Sequence, residues 1–207
     1  MIEVKICGIT REEDLKKAIE LGFDAVGFIL CESKRQITLP KVKSFLNLIP
    51  PFMSVVAVVK DPSIETLTEI VRAKVFTHVQ FHGMEPPEML VDFPLKRIKA
   101  IPIEGEESLN LTSVYFNVAD YFLFDTKVGN SFGGTGKSFN WSILKKYDRS
   151  KPFILSGGIN VNNLEMAIKE LSPHGIDVNS SLEREPGVKD HKKMEEFMGL
   201  LRSLRGR

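Results

Sequence analysis

The sequence is poor in cysteine and contains no long apolar run, and each shortage excludes a class of protein. Only two cysteines, Cys7 and Cys31, occur in 207 residues, too few for a fold held together by disulfides. The four histidines show no paired spacing with them, so we predict no metal site. The longest apolar run, Val55 to Val59, is far shorter than a membrane span, and the N-terminus has no apolar signal core. We therefore predict a cytoplasmic protein with no membrane partner.

The chain also lacks an excess of either charge. It carries 28 Lys and Arg against 27 Asp and Glu, so no general attraction draws it to a polyanion, and we predict no nucleic-acid partner. Its hydrophobic content of 43% is that of an ordinary globular protein. No linker or low-complexity segment divides the chain, so we predict a single domain over residues 1–207.

Short β-rich segments alternate with longer helix-like segments along the whole chain. The predicted strands cover about residues 2–6, 24–30, 53–59, 76–81, 96–100, 120–125, 152–156 and 174–178, and the predicted helices about 11–21, 40–48, 63–73, 86–92, 106–117, 139–146, 161–171 and 190–203. Several strands, such as Tyr121 to Phe124, are continuous apolar runs, typical of parallel strands buried on both faces. Eight alternations favour an α/β fold, a closed (β/α)8 TIM barrel. An open doubly wound sheet is the alternative that this pattern leaves open.

In both folds the chemistry belongs at the carboxyl ends of the strands, where this chain has several reactive side chains. Asp125 ends an apolar strand, as a loop cap or as a proton-transfer group in an apolar wall. Cys7 ends the first strand, as a buried filler or as a reactive thiol. Lys5, two residues earlier and hence on the same face, would favour the thiolate.

Two consecutive strand ends are followed by loops that suit an anion. Gly157 and Gly158 follow the seventh strand, and Ser180 follows the eighth, so backbone N–H groups and a hydroxyl could hold a phosphate there; tight turns alone are the other explanation. The segment 133–137 resembles half of a phosphate loop but fails the Walker A spacing, which excludes an ATPase of that type. We expect this segment to cover the site instead.

Seven stretches together resemble the phosphoribosylanthranilate isomerase family of tryptophan biosynthesis over essentially the whole chain. They are Val4-Lys5-Ile6-Cys7-Gly8-Ile9-Thr10, Ser33-Lys34-Arg35, Gln80-Phe81-His82-Gly83, Phe124-Asp125-Thr126-Lys127, Gly133-Gly134-Thr135-Gly136, Leu155-Ser156-Gly157-Gly158 and Asp177-Val178-Asn179-Ser180. The resemblance implies a (β/α)8 barrel that performs an Amadori rearrangement of a phosphorylated small-molecule substrate. It implies no cofactor and no metal.

The resemblance also implies a role for each candidate residue. Asp125 would be the general acid and Cys7 the general base. Arg35 would meet the anthranilate carboxylate, and the remaining substrate contacts would come from His82, Gly157, Gly158, Asp177 and Ser180.

The eighth loop departs from the family pattern, because Asn179 replaces a serine and Ser181 replaces a glycine. A positive φ at position 181 would strain a serine and disturb a phosphate site. Another departure, Asn140 before Trp141, predicts a changed helix cap. Three alternatives therefore stay open: a histidine-pathway aminoaldose isomerase, an enzyme acting on both substrates, and a phosphate-binding barrel without activity. We expect a monomer or a homodimer.

Overall fold

The computed structural model describes residues 2–125 and 141–205, and within them eight parallel strands close into a barrel. The strands are β1 (Glu3–Cys7), β2 (Ala25–Ile29), β3 (Ser54–Val59), β4 (His78–Phe81), β5 (Lys96–Pro102), β6 (Tyr121–Asp125), β7 (Phe153–Ser156) and β8 (Gly175–Val178). The glycine-rich segment 133–137 and Asn140, for which a cover and a changed cap were predicted, lie outside the described residues.

Pairing between the first and last strands closes the barrel and decides between the two predicted folds. β1 pairs with β8 in parallel, with Lys5 opposite Asp177, and β1 also pairs with β2, with Cys7 opposite Gly27. An open doubly wound sheet would leave two edge strands unpaired. The closed (β/α)8 barrel is therefore confirmed.

The core lies in two layers, inside the barrel and between the barrel and its helices. A small inner cluster of alternate strand residues includes Val56 and Val58 of β3 and Leu123 of β6. A much larger cluster, which includes Val55 and Phe122, packs the outer faces of the strands against the helices. Because both faces of each strand are buried, the strands read as the continuous apolar runs seen in the sequence.

Seven α-helices occur in the described residues, most of them shorter than predicted. They are α1 (Glu12–Glu20), α2 (Leu39–Ser44), α3 (Ile64–Ala73), α4 (Leu111–Tyr115), α5 (Ser142–Lys145), α6 (Leu164–Leu171) and α7 (His191–Arg205). The segment from 106 forms a 3-10 turn, Glu106–Asn110, before α4 begins. None of these helices is both long enough and apolar enough to span a membrane.

The predicted helix over 86–92 is wrong, because only the 3-10 turn Pro87–Leu90 forms there. Pro86 and Pro87 have no N–H to donate, and Asp92 takes a left-handed conformation with a φ of 50°. These residues prevent the helix from extending in either direction. The hairpin of β9 (Glu183–Glu185) and β10 (Val188–Lys189) was not predicted at all.

A buried ion pair fixes the loop that follows β4. Lys99 Nζ lies 2.7 Å from Glu85 Oε2, and also donates to the Gly83 carbonyl oxygen at 2.6 Å. Glu85 Oε1 accepts from the backbone N–H groups of Asp61 at 3.1 Å and Gly83 at 2.8 Å. The pair thereby ties together the loops after β3 and β4, next to His82.

Removing one partner of this pair should destabilise the protein strongly. Lys99→Met leaves the Glu85 carboxylate buried without its cation, so we expect the free energy of unfolding to fall by about 3–5 kcal/mol. Urea unfolding measures the change. The control is Lys96→Met on the same strand, whose side chain is 60% exposed and should change the free energy by less than about 1 kcal/mol. Equal effects of the two substitutions would contradict this interpretation.

Candidate active site

The carboxyl ends of the barrel strands surround a cavity of about 600 Å³, a size that suits a small-molecule ligand. All of the site residues predicted from the sequence lie on its walls: Cys7, Arg35, His82, Asp125, Gly157, Gly158, Asp177 and Ser180. Cys31 lies on the same wall, and both cysteines are free thiols. The barrel thus brings together residues that are up to 173 positions apart (Cys7 to Ser180).

Cys7 is 5% exposed and points into the barrel beside Lys5, as predicted from their spacing. Burial raises the pKa of the Cys7 thiol, and the Lys5 ammonium opposes this effect by stabilising the thiolate. The nearby carboxylate of Asp177 acts in the same direction as burial. The thiol is therefore protonated at rest and has a cation placed to stabilise the charge that forms when it loses its proton.

Lys5 is the centre of a buried polar cluster. Its Nζ donates to Asp177 Oδ2 at 2.9 Å and to Gln80 Oε1 at 2.7 Å. Burial works to lower the pKa of Lys5, but Asp177 and Cys7 outweigh it, and the net pKa is raised. Lys5 is therefore an ammonium ion inside the barrel, and Gln80, 1% exposed, is one of its acceptors.

Asp125 is held by a histidine from across the barrel. Asp125 Oδ2 lies 3.2 Å from His82 Nε2, and His82 Nδ1 lies 3.0 Å from Gln80 Nε2. The His82 backbone N–H donates to the Val59 carbonyl oxygen at 2.8 Å, which continues the pairing of β4 with β3. The ring is therefore fixed at both nitrogens and at its backbone.

Arg35 is paired with a carboxylate that the sequence did not reveal. Its Nε and Nη2 contact the carboxylate of Glu183 at 2.7–2.9 Å, and Lys189 Nζ reaches Glu183 Oε1 at 3.1 Å. Burial works to raise the pKa of Glu183, but Arg35 and Lys189 outweigh it and the net pKa is lowered. Two cations therefore share one carboxylate, which leaves a net positive charge on this wall of the cavity.

The loops after β7 and β8 have a geometry that suits an anion. Gly157 and Gly158 have φ values of 87° and 72°, which only glycine adopts without strain. The Gly158 carbonyl oxygen accepts from the side-chain amides of Asn160 at 2.9 Å and Asn163 at 3.0 Å, on the side of α6. Ser181 lies in the 3-10 turn Ser180–Leu182, where φ is negative, so the strain considered for a serine at this position does not arise.

Comparison with known proteins identifies this arrangement. The sequence model of a family described as "N-(5'phosphoribosyl)anthranilate (PRA) isomerase" matches residues 4–199. The chain belongs to this family. It is similar to the N-(5'-phosphoribosyl)anthranilate isomerase of Petrotoga mobilis, with 47% identity over 99% of each chain.

Solved structures of the phosphoribosylanthranilate isomerase family share the fold. The enzyme of Thermotoga maritima superposes with a TM-score of 0.89 at 34% identity and covers 98% of this chain and 100% of its own. Another structure of the family, in complex with reduced 1-(o-carboxyphenylamino)-1-deoxyribulose 5-phosphate, superposes with a TM-score of 0.87 at 31% identity, covering 98% of this chain and 100% of its own. The sequence-based assignment to the phosphoribosylanthranilate isomerase family is confirmed.

Sequence reasoning missed several residues that shape this site. Gln80 was quoted only as part of a matching stretch, and Glu183 and Lys189 belong to the unpredicted hairpin. Gly27 was also missed, although a glycine inside the apolar strand Ala25–Ile29 was a usable signal. A Cβ at position 27 would lie 2.8 Å from Lys5 Cε and 2.9 Å from Cys7 Sγ, so the absence of a side chain makes room for both.

Gly27→Ala should damage the site without unfolding the barrel. The added methyl group must displace the side chains of Lys5 and Cys7, so we expect isomerase activity to fall at least about tenfold, the effect of roughly 1.4 kcal/mol. Gly199→Ala in α7 is the matched control, because a Cβ there meets nothing within 4 Å, and it should leave activity unchanged. Steady-state kinetics of both variants check this prediction, and an unchanged kcat/KM in Gly27→Ala would contradict it.

The raised pKa of Cys7 should also appear in the pH dependence of stability. The folded protein holds this proton more tightly than the unfolded chain, so the free energy of unfolding falls as pH rises from the ordinary cysteine value to the folded value. Urea unfolding between about pH 8 and pH 10 should show a smaller fall in Cys7→Ser, by about 1.4 kcal/mol for each unit between the two pKa values. Both proteins should carry Cys31→Ser, because burial raises the pKa of Cys31 as well. Identical pH dependence in the two proteins would exclude the raised pKa.

Proposed function

We propose that the protein catalyses the Amadori rearrangement of N-(5-phosphoribosyl)anthranilate to 1-(2-carboxyphenylamino)-1-deoxyribulose 5-phosphate, a step of tryptophan biosynthesis. The observation that carries the proposal is the placement of Cys7 and Asp125 at the ends of β1 and β6, on the walls of one cavity beside two glycine- and serine-containing loops. Membership of the family supports the same activity.

In the proposed mechanism, Asp125 is the general acid. A protonated Asp125 carboxyl donates its proton to the furanose ring oxygen, the bond from that oxygen to C1 breaks, and the anthranilate nitrogen lone pair forms a Schiff base to C1. Two features support this role: Asp125 is 14% exposed on the cavity wall, and His82 orients its carboxyl group. General acid catalysis of this kind typically contributes about 10²–10⁴-fold in rate.

Cys7 is the proposed general base in the second step. Its thiolate removes the proton from C2 of the Schiff base, and the electron pair moves to the C1–nitrogen double bond to give an enolamine. Tautomerisation of the enolamine then gives the ketone at C2. Lys5 supports this role, since its ammonium stabilises the thiolate that must form before the proton is abstracted.

The remaining candidate residues are proposed to bind the substrate. Arg35, held by Glu183, is suited to the anthranilate carboxylate, because a guanidinium has a second pair of donors beyond the one that Glu183 occupies. The loops containing Gly157, Gly158 and Ser180 are suited to the phosphate group.

Asp177 and His82 complete the proposed set of binding residues. Asp177 is 6% exposed, and its Oδ1 has no hydrogen-bond partner among the described residues, which favours a hydroxyl group of the sugar as its partner. His82 lies on the wall near Asp125 and can contact the substrate from there.

The proposal includes no cofactor and no metal, since both steps are proton transfers that side chains perform. We infer one domain over residues 1–207, acting in the cytoplasm as a monomer or a homodimer. Histidine-pathway or dual-substrate isomerases are expected to use two aspartates, so Cys7 favours the anthranilate substrate alone.

Turnover of freshly prepared phosphoribosylanthranilate tests the proposal. We expect the unmodified protein to form product, and Cys7→Ser and Asp125→Asn each to lower kcat by about 10²–10⁴-fold with a smaller change in KM. Asp148→Asn, an isosteric change at an exposed residue, is the control and should leave kcat unchanged. An inactive unmodified protein that still binds phosphate esters would favour a binding barrel. Equal turnover of the histidine-pathway aminoaldose would favour a dual-substrate enzyme.

A further inference from the structure

A chain of four hydrogen bonds crosses the barrel from β8 to β6. It runs from Asp177 to Lys5, Gln80, His82 and Asp125, with donor–acceptor distances of 2.9, 2.7, 3.0 and 3.2 Å. The mechanism above uses the first and last members and Lys5 but gives Gln80 no role. Gln80 is 1% exposed in the middle of this chain, so its two polar atoms have fixed partners.

The direction of each hydrogen bond follows from Lys5. An ammonium group has donors only, so the Gln80 atom that lies 2.7 Å from Lys5 Nζ must be the carbonyl oxygen. A flipped amide would place an NH2 group against the ammonium. The Gln80 NH2 group therefore faces His82 Nδ1, at 3.0 Å.

The Gln80 amide in turn decides which nitrogen of His82 carries the proton. An amide NH2 group has only hydrogens to offer, so His82 Nδ1 must accept with its lone pair. The hydrogen of the imidazole then lies on Nε2 and is donated to Asp125 Oδ2 at 3.2 Å. A second proton on Nδ1 would set N–H against N–H, which opposes formation of the imidazolium.

We propose that Gln80 is a positioning residue that holds His82 as a neutral imidazole with its hydrogen on Nε2, and that His82 thereby keeps Asp125 able to serve as the acid. This inference rests on the proposed role of Asp125. A positively charged ring beside Asp125 would favour its carboxylate form, which has no proton to give. A neutral N–H donor orients the carboxyl group without that electrostatic effect.

The same contact selects the oxygen of Asp125 that delivers the proton. Oδ2 accepts from His82 Nε2–H, so the proton of a neutral Asp125 is left to Oδ1. Gln80 and His82 therefore fix both the protonation state and the orientation of the acid, from residues two positions apart on one face of β4 and its continuation.

Other charged groups of the described chain also act on His82. The walls of the same cavity carry Glu32, Arg35, Lys60, Asp125 and Asp177, with Lys5 behind Gln80 and the Lys99–Glu85 pair beneath the loop after β4. These charges have both signs. Among the described residues, only Asp125 and Gln80 make hydrogen bonds to the ring nitrogens.

Nitrogen-15 NMR of histidine-labelled protein tests the inference without any activity measurement. Two-bond proton–nitrogen spectra of the unmodified protein near neutral pH should show His82 with a bare Nδ1 and a protonated Nε2. His82→Asn assigns the signals among the four histidines by removing one set. A proton on Nδ1 in the unmodified protein, on either a neutral or a charged ring, would overturn the proposal.

Two substitutions then test the role of Gln80 itself. Gln80→Glu places only acceptor oxygens opposite Nδ1, so we expect a proton on that nitrogen and a fall in kcat of about tenfold or more, with the alkaline fall of the pH profile moved to lower pH. Gln80→Met removes the donor without adding charge, so we expect a mixture of the two tautomers and a lower kcat at similar KM. Gln36→Glu is the matched control, because Gln36 is the only other glutamine and is exposed.

The outcomes separate this inference from the proposed function. If the unmodified protein or its Asp125→Asn variant contradicts the proposed role of Asp125, the NMR spectra still decide the state of His82. If Asp125 is essential but Gln80→Glu and Gln80→Met keep the unmodified tautomer and full kcat, the role of Gln80 is excluded. If one variant does not fold, the other variant and the unmodified protein still decide.

Discussion

The burial of one ammonium group inside the barrel organises the rest of the site. Lys5 lies on β1 among strand residues that are otherwise apolar, and its charge is tolerated because Asp177 on the neighbouring β8 neutralises it at 2.9 Å. Once Lys5 is fixed as a cation, it stabilises the Cys7 thiolate on one side and orients the Gln80 amide on another. The proposed base and the proposed acid are thus both tuned by a residue that performs no chemistry itself.

The described charged groups around the cavity are arranged by the same rule: each buried one meets an opposite charge from another segment of the chain. Lys99 of β5 meets Glu85 of the loop after β4, and Glu183 of the hairpin meets Arg35 of the loop after β2. Such pairs add little net stability, because desolvation offsets most of their attraction. Their benefit is geometric, since each one joins two loops at the mouth of the barrel and keeps polar groups at set positions before any substrate binds.

The sequence predicted the barrel and the location of the site well, because both depend on local patterns. Continuous apolar runs mark the strands, and the rule that chemistry lies at the carboxyl ends of strands then selects residues such as Cys7 and Asp125. The hydrogen-bond partners were not predictable, because Lys5 and Asp177 are 172 positions apart and only the strand register brings them together. The helix over 86–92 failed for a local reason, since the prolines that were taken as a helix start also limit the segment to one 3-10 turn.

The contact between Arg35 and Glu183 has a consequence for the entropy of binding. A free arginine side chain carries about 2 kcal/mol of rotamer entropy, which a ligand must remove when it immobilises the side chain. Here Glu183 holds one edge of the guanidinium at 2.7–2.9 Å in the unliganded protein. That entropy is therefore lost during folding, and an incoming carboxylate meets a side chain that is already ordered.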